Sequence, residues 1–199
     1  MNNNFLKIPG WFSEVEAYSL LEYIKSSSII VELGSFSGRA STLFSANKKN
    51  YCKLYCIDIW EDIGNFYISH NNGNTEFKWD IDNVECLFDH FMKELDHIKI
   101  KTLSHIIPNS IQKNSVDLLF VDTCHDSEIV NQEIVSWFDY VKSSGIIAFH
   151  DYDIEHDYSY HPLKLKNQFI NYRKTVDFIC EKYSLKKLNL TETLLITQK

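Results

Sequence analysis

No apolar run in this sequence approaches the roughly 20 residues that a membrane-spanning helix needs, so a membrane-spanning class is not expected. The opening residues Met-Asn-Asn-Asn-Phe-Leu-Lys lack the apolar core of a secretory leader. An excess of positive charge is missing too: 20 Lys and Arg stand against 27 Asp and Glu, for a formal net charge of −7. Duplex nucleic acid requires a dense cationic face, and the small pairs Lys48-Lys49 and Lys186-Lys187 do not supply one. The five cysteines are odd in number and irregular in spacing. Cys52 and Cys56 have no second pair to complete a zinc site, so free thiols in a reducing, cytoplasmic compartment are the simplest expectation. Glycine and proline are scarce, at six and three residues, and no internal repeat or low-complexity linker breaks the chain.

What remains is a chain of 199 residues, 44% hydrophobic and 24% charged, which suits one domain with a sizeable core and argues against disorder. Three short apolar runs have the composition of buried parallel strands: Ile29 to Leu33, Val116 to Val121 and Gly145 to Phe149. Leu54 to Ile57 is a fourth, ending at Asp58, and Ile98 to Leu103 alternates as a strand nearer an edge does. Helical spacing fills the gaps. Ser13 and Glu16 form a capping box for a helix running through Tyr23. Further helices are expected near Ala40 to Ala46, and over Asn83 to Leu95, Ser127 to Val141 and Gln168 to Tyr183. Leu185 to Leu190 and Thr193 to Thr197 read as a closing hairpin. Strands alternating with helices imply an α/β sheet covered on both faces. The stretch from Trp60 to Asp82, with Phe66, Tyr67, Phe77, Trp79 and Asn71-Asn72-Gly73-Asn74, departs from the alternation. It reads as a long aromatic loop, either a lid over a substrate or a surface excursion.

The most specific pattern is Val31-Glu32-Leu33-Gly34-Ser35-Phe36-Ser37-Gly38-Arg39-Ala40-Ser41. A strand runs into an acid, then a glycine, then a second glycine at the start of a helix. Gly34 permits a tight turn and close approach of a ligand, and the helix start offers unpaired N–H groups. The dinucleotide pattern G-x-G-x-x-G is absent, and Glu32 would repel a pyrophosphate while attracting an ammonium. Asp58, at the end of the next strand, suits a carboxylate that accepts both hydroxyls of a ribose. Taken singly these are ordinary strand-end and turn residues; together they favour a cofactor site.

On these residues the chain resembles the class I S-adenosylmethionine-dependent methyltransferases, from about Ile29 to the C-terminus. It is most similar to the small-molecule and sugar O-methyltransferases, the neighbourhood of macrocin-type and cephalosporin-hydroxylase-like proteins. The matching residues are Glu32, Gly34, Gly38 and Ser41; Asp122 and His125 after the fourth strand; and His150, Asp151 and Tyr152 after the fifth. Asn171 to Phe178 resembles the helix before the final hairpin. The resemblance implies a Rossmann-like, seven-stranded, mostly parallel sheet with helices on both faces and an antiparallel last strand. One methyltransferase domain would span 1–199, with a lid or substrate loop at 60–82. The cofactor S-adenosylmethionine would be held by Glu32, Gly34, Ser35, Phe36, Ser37, Gly38, Ser41, Asp58, Ile59, Ser104 and Asp122. Trp60 is placed to stack on adenine or simply to pack.

Asp122 and Asp151 end neighbouring strands, so their carboxylates can converge, and converging carboxylates need a cation or a shared proton. The metal-dependent relatives hold Mg²⁺ there; in this chain Asp122, His150 and Asp151 are the candidate ligands. His150 replaces an acid found in several relatives, and Asp122-Thr123-Cys124-His125 replaces Asp-Gly-Asp-His, which weakens the case for Mg²⁺; His150 then reads either as a ligand of a softer divalent metal or as a satisfied core-edge histidine. Asp126 and Asp153 are nearby oxygen donors that either compensate for the lost ligands or stand simply solvated. His125 is the candidate general base and Asp122 its catalytic neighbour. His156 and His161, with Asp157 and Tyr158, lie in an aromatic loop after Asp151 that reads either as closing the substrate site or as a plain exposed turn. The expected reaction is methylation of a hydroxyl on a small acceptor, a sugar or glycoconjugate, with no nucleic-acid partner. The 60–82 segment serves equally as a lid or as a contact in a homo-oligomer. Competing readings are an NAD-dependent oxidoreductase, against which Glu32 and the missing third glycine stand, and a catalytically silent S-adenosylmethionine-binding scaffold.

Overall fold

The computed structural model describes residues 3–61, 66–72, 75–81, 83–153 and 163–199. Nine strands are present among them: β1 (Ile29–Leu33), β2 (Lys53–Asp58), β3 (Phe66–Asn72), β4 (Thr75–Ile81), β5 (Ile98–Lys101), β6 (Val116–Val121), β7 (Val141–Phe149), β8 (Lys186–Thr191) and β9 (Leu194–Gln198). Five α-helices accompany them: α1 (Glu14–Ser26), α2 (Arg39–Asn47), α3 (Val84–Met92), α4 (Ser127–Trp137) and α5 (Leu163–Lys182). Seven strands form one sheet in the order β5-β2-β1-β6-β7-β9-β8. The first five run parallel, and β9 is antiparallel to both β7 and β8. The sheet is Rossmann-like, as expected, with β5 at one edge and β8 at the other.

The buried strands are covered on both faces because successive side chains point to opposite sides. Ile30, Leu54, Cys56, Leu118, Phe120 and Ala148 face one core, with Ala17, Leu20 and Ile24 of α1, Leu43 and Phe44 of α2, and Phe88 of α3. Val31, Leu33, Ile57, Leu119, Val121, Ile147 and Phe149 face the other, with Ile134 and Trp137 of α4 and Tyr172, Val176 and Ile179 of α5. The α1 capping box is present: the Glu16 N–H donates to Ser13 Oγ at 3.1 Å, and the Ser13 N–H donates to Glu16 Oε2 at 3.0 Å. Asn83 and Asp126 cap α3 and α4 in the same manner, through side-chain oxygens that accept backbone N–H groups.

Three local expectations change. The helix expected to reach Val141 stops at Trp137 and passes through a 3-10 turn, Phe138–Tyr140, because Val141 pairs with Val116 and opens β7. The strand expected from Gly145 therefore starts four residues earlier. The stretch read as a long loop after Trp60 contains an antiparallel hairpin, with Phe66 paired to Ile81 and Asn72 to Thr75. Its alternation of aromatic and polar residues is a strand period, which the clustered Asn and Gly obscured. All five cysteines are free, and no helix among the described residues is long and apolar enough to cross a membrane.

Register positions the site. Leu33 pairs with Ile57 on one side and with Val121 on the other, and Val121 pairs with Phe149. The ladder continues one residue further: Gly34 N–H donates to Ile57 O, Asp122 N–H to Leu33 O and His150 N–H to Val121 O, at 2.9, 2.9 and 3.0 Å. Gly34, Asp58, Asp122 and His150 thus emerge side by side at the carboxyl edge of the sheet, where open α/β sheets bind ligands.

Candidate functional site

A cavity of about 500 Å³ opens at this edge. Glu32, Gly34 and Asp58 line one part of it, and Asp122, His125, His150 and Asp151 line another. The glycine turn is built for close approach: Gly34 and Gly38 have φ of 87° and 91°, and Phe36 between them has φ of 46°. A side chain at Gly34 would collide with the backbone of Asp122, so only glycine lets β1 and β6 leave the sheet this close together.

Glu32 is buried and accepts hydrogen bonds on Oε2 from the hydroxyls of Ser35, at 2.7 Å, and Ser41. Burial pushes its pKa up to about 7, although the two hydroxyls favour the ionised form. A ligand ammonium placed against it would favour ionisation further. Asp58 holds the turn from the other side. Its two carboxylate oxygens accept the N–H groups of Phe36 and Trp60, each at 2.8 Å. Both of those residues have left-handed backbones, Trp60 at φ 41°, so one carboxylate secures two strained positions. Burial raises the Asp58 pKa, and the N–H bonds work against that rise. Each oxygen retains a lone pair for a further donor. The Trp60 indole donates to Phe36 O at 2.9 Å and packs on Phe88. Trp60 is only 5% exposed, so it is mainly a packed residue that presents an edge to the cavity.

Of the other expected cofactor residues, Ser35, Phe36, Ile59, Ser104 and Asp122 line the cavity. Ser37, Gly38 and Ser41 stand behind its wall. Ser37 donates to Pro9 O, Ser41 donates to Glu32, and Gly38 starts α2. A serine hydroxyl serves equally well by tying down the loop as by touching a ligand, and Ser37 in the turn and Ser41 in the first turn of α2 do the former.

Sequence reasoning missed the wall supplied by Pro9, Gly10, Trp11 and Phe12. Arg39, buried within the glycine motif, fixes it by donating to the carbonyls of Phe12, Gly10 and Ile8 at 2.7, 2.8 and 3.1 Å. Nothing local in the sequence signalled this, because Arg39 lies 29 positions from Gly10.

At the other part of the cavity, His150 sits among carboxylates. Its Nδ1 lies 3.0 Å from Asp122 Oδ1 and 3.5 Å from Asp151 Oδ2, and its Nε2 lies 3.3 Å from Glu16 Oε2. Burial alone would lower the His150 pKa, yet Asp122 and Asp151 hold it well above the ordinary imidazole value. Asp151 is buried too, which favours its neutral form, but His150 draws its pKa below the usual carboxylate range. His125 Nε2 lies 3.4 Å from Asp151 Oδ2 and 3.7 Å from Asp122 Oδ1. Neither approach has hydrogen-bonding geometry, and this nitrogen is buried without a partner among the described residues. The ring stands against Tyr172 and Phe169 from α5. His125 and Asp151 both have φ of 55°, which turns them into the cavity at a cost in backbone strain.

Glu16 was read only as a helix-capping residue. The fold brings it across to His150, and its Oε1 accepts the Thr193 hydroxyl at 2.6 Å. Asp126 and Asp153 are engaged elsewhere, in the cap of α4 and in a 2.9 Å ion pair with Arg173. Cys124 lies at the cavity, and burial raises its pKa, so it is a neutral thiol at pH 7. His156, Asp157, Tyr158 and His161 lie outside the described residues.

Residues 31–152 match the model of a family described as a methyltransferase domain, over more than half of the chain. A comparison with curated protein sequences finds no significant match. Among solved structures, the chain is similar to an O-methyltransferase from Bacillus cereus in complex with S-adenosylhomocysteine, at 11% identity and a TM-score of 0.64, covering 99% of this chain and 87% of that one. It is also similar to an O-methyltransferase of tomaymycin synthesis from Streptomyces achromogenes, in complex with S-adenosylmethionine, at 11% identity, a TM-score of 0.62 and coverage of 94% and 81%. A third is an S-adenosylhomocysteine-bound methyltransferase from Podospora anserina, at 10% identity, a TM-score of 0.61 and coverage of 94% and 79%. Identities this low show a shared fold and leave substrate chemistry to the site itself.

Proposed function

The chain belongs to this methyltransferase-domain family and is an S-adenosylmethionine-dependent methyltransferase; from that premise we propose that it methylates a hydroxyl of a small acceptor, a sugar or glycoconjugate, in the cytoplasm. The observation that carries the proposal is the division of one cavity between a glycine turn flanked by Glu32 and Asp58 and a cluster of Asp122, His125, His150 and Asp151. The first part suits a cofactor with an ammonium and a ribose. The second suits an acceptor hydroxyl that must give up a proton.

In the reaction the acceptor oxygen attacks the methyl carbon of the sulfonium. The carbon–sulfur bond breaks, its electrons stay on sulfur, and the hydroxyl proton leaves for a base. His125 Nε2 is that base: it has no hydrogen-bond partner among the described residues, faces the cavity, and becomes an imidazolium within 3.4 Å of Asp151 and 3.7 Å of Asp122. Much of the rate enhancement comes from orienting oxygen, methyl and sulfur in line, which the fixed backbone of the turn and the packed ring of His125 support. Asp122 touches both parts of the site, through the Gly34 contact on one side and His150 on the other. The same cluster fits a divalent cation, since a buried imidazole nitrogen without a partner among the described residues stands beside two carboxylates. A bound cation would supply Lewis acidity toward the acceptor oxygen. Trp11, exposed at the cavity wall beside Phe36, offers an apolar face to the acceptor, and the hairpin of β3 and β4 within residues 60–82 is the candidate lid.

Calorimetry with S-adenosylhomocysteine, with NAD as control, tests the cofactor assignment: binding of the first and not of the second is expected. Methyl transfer from labelled S-adenosylmethionine to a panel of sugars, thiols and amines tests the acceptor, and transfer confined to thiols or amines would overturn O-methylation. His125→Ala should abolish turnover and leave S-adenosylhomocysteine affinity unchanged; retained turnover removes His125 as base.

A further inference from the structure

We propose that the acceptor carries a protonated amine beside its reacting hydroxyl, as an amino sugar does, and that its ring lies on Trp11 with the ammonium facing the carboxylates of the cavity. The proposal rests on the reading of this cavity as a hydroxyl-methylating site and narrows the acceptor within it. His125 keeps its place as the base.

The charge balance of the cavity is the first support. Glu32, Asp58, Glu61, Asp122 and Asp151 line it, and Arg39 is the only lysine or arginine among its described lining residues. Arg39 is not available to an anion. It is only 4% exposed, and its guanidinium donates to the carbonyls of Ile8, Gly10 and Phe12. His150 does not reverse the sign, since Asp122, Glu16 and Asp151 stand around it at 3.0, 3.3 and 3.5 Å. The cofactor changes the balance little, because its own carboxylate offsets one of its two positive charges. An acceptor bearing phosphate or carboxylate would lose its hydration here with no cation to receive it. An ammonium would be drawn in.

The second support is that these carboxylates act on one another. Burial raises the pKa values of Glu32 and Asp58, and the charge of Asp122 raises both further. A positive group among them relieves that repulsion. The ammonium of the cofactor answers Glu32 on the side of the glycine turn. The negative charge of Asp122, Asp151 and the exposed Glu61 is left for the acceptor.

The third support is Trp11. It lines the cavity and is 55% exposed, yet its backbone is held on both sides. The carbonyls of Gly10 and Phe12 accept from Arg39 at 2.8 and 2.7 Å, and the carbonyl of Pro9 accepts from Ser37. Its ring rests against Phe36, with centroids 5.8 Å apart. An exposed indole fixed in this way loses little freedom when a ring settles on it. The indole face also attracts a cation more strongly than any other side-chain ring. A sugar that bears an ammonium offers both, a C–H face for the indole and a charge for the carboxylates.

The test compares glucosamine, N-acetylglucosamine, glucose and glucose 6-phosphate, and the matching galactose set, at pH 7. Binding to the full-length protein loaded with S-adenosylhomocysteine is read by saturation-transfer NMR, and transfer is read from labelled S-adenosylmethionine. Within each set the free amine should bind and react at least about tenfold better than its N-acetyl form, with the phosphorylated sugar last. Salt at about 0.5 M should shrink the preference. Trp11→Ala should raise KM for the amine about 5- to 30-fold with a smaller change in kcat. Trp11→Phe should recover most of that loss, and Glu61→Gln should narrow the preference for the amine. Equal or better transfer to the N-acetyl or phosphorylated form, or binding of none of the amines, overturns the proposal and leaves hydroxyl methylation standing. A methyl group found on nitrogen upholds the charge preference and overturns hydroxyl methylation instead, so the two readings fail separately.

Discussion

A methyl group placed on Gly34 would sit 2.0 Å from the carbonyl oxygen of Asp122, 2.6 Å from its carbonyl carbon and 3.1 Å from Thr123 Cα. Those are backbone atoms of the β6 end, which cannot rotate away as a side chain would. Gly34→Ala must therefore separate the ends of β1 and β6, at an overpacking cost of about 1–3 kcal/mol. Its φ of 87° adds about 1–2 kcal/mol for any residue with a Cβ. The sum, about 2–5 kcal/mol, is a large share of the stability of an ordinary domain. Gly38→Ala provides the internal comparison. Its φ of 91° carries the same backbone penalty, but the new methyl would meet Met92 Cγ at 3.1 Å and Phe88 Cδ2 at 3.3 Å, both side-chain atoms able to shift. Urea denaturation of both variants should show Gly34→Ala losing more stability at an unchanged m-value. Calorimetry should show a loss of S-adenosylhomocysteine affinity for Gly34→Ala, because Asp122 moves with the strand end. If Gly34→Ala is as stable as wild type, or less damaging than Gly38→Ala, the close approach of the two strands does not constrain the site and the reasoning fails.

Other perturbations bear on separate parts of the structure. Glu133 is fully buried on α4, and burial pushes its pKa up to about 7 from an ordinary 4.5. The unfolded chain releases this proton near 4.5 and the folded chain holds it to about 7, so the contribution of Glu133 to stability falls across that window as pH rises. Glu133→Gln should therefore be more stable than wild type above pH 7, by up to about 3 kcal/mol, with the difference shrinking as pH falls toward 4.5. A pH-independent difference in thermal denaturation would contradict this. Arg39→Ala removes three buried bonds to the 8–12 segment and should cost about 2–4 kcal/mol, with loss of amide-exchange protection concentrated in that segment; protection unchanged there refutes the clamp. Asp58→Ala removes the acceptor for the Phe36 and Trp60 N–H groups as well as the proposed ribose contact, and should lower S-adenosylhomocysteine affinity by at least about tenfold. Unchanged affinity by calorimetry would remove Asp58 from the cofactor site.

Much of the sheet was legible because its signals are local. Short apolar runs, each ending in a glycine or a polar residue, located β1, β2, β6 and β7, and Ser13 with Glu16 announced the start of α1. The boundary between α4 and β7 was not legible, because Phe138 to Tyr140 continue a helical period and only the pairing of Val141 with Val116 ends it. The β3–β4 hairpin was hidden in a stretch whose asparagines and glycine resemble a loop.

By itself, the sequence determined that an acid, two glycines and a second acid would gather at strand ends, since turn conformation and strand termination depend on neighbouring residues. It also placed Asp122, His125, His150 and Asp151 at the ends of two strands. Tertiary structure alone decided what those groups face. Glu16 meets His150 from 134 positions away, Arg39 holds an arm 27 to 31 positions before it, and the hydroxyls of Ser37 and Ser41 turn inward to tie the loop. Such contacts depend on strand register and helix docking, which arise from the packing of both cores at once and leave no periodic trace along the chain.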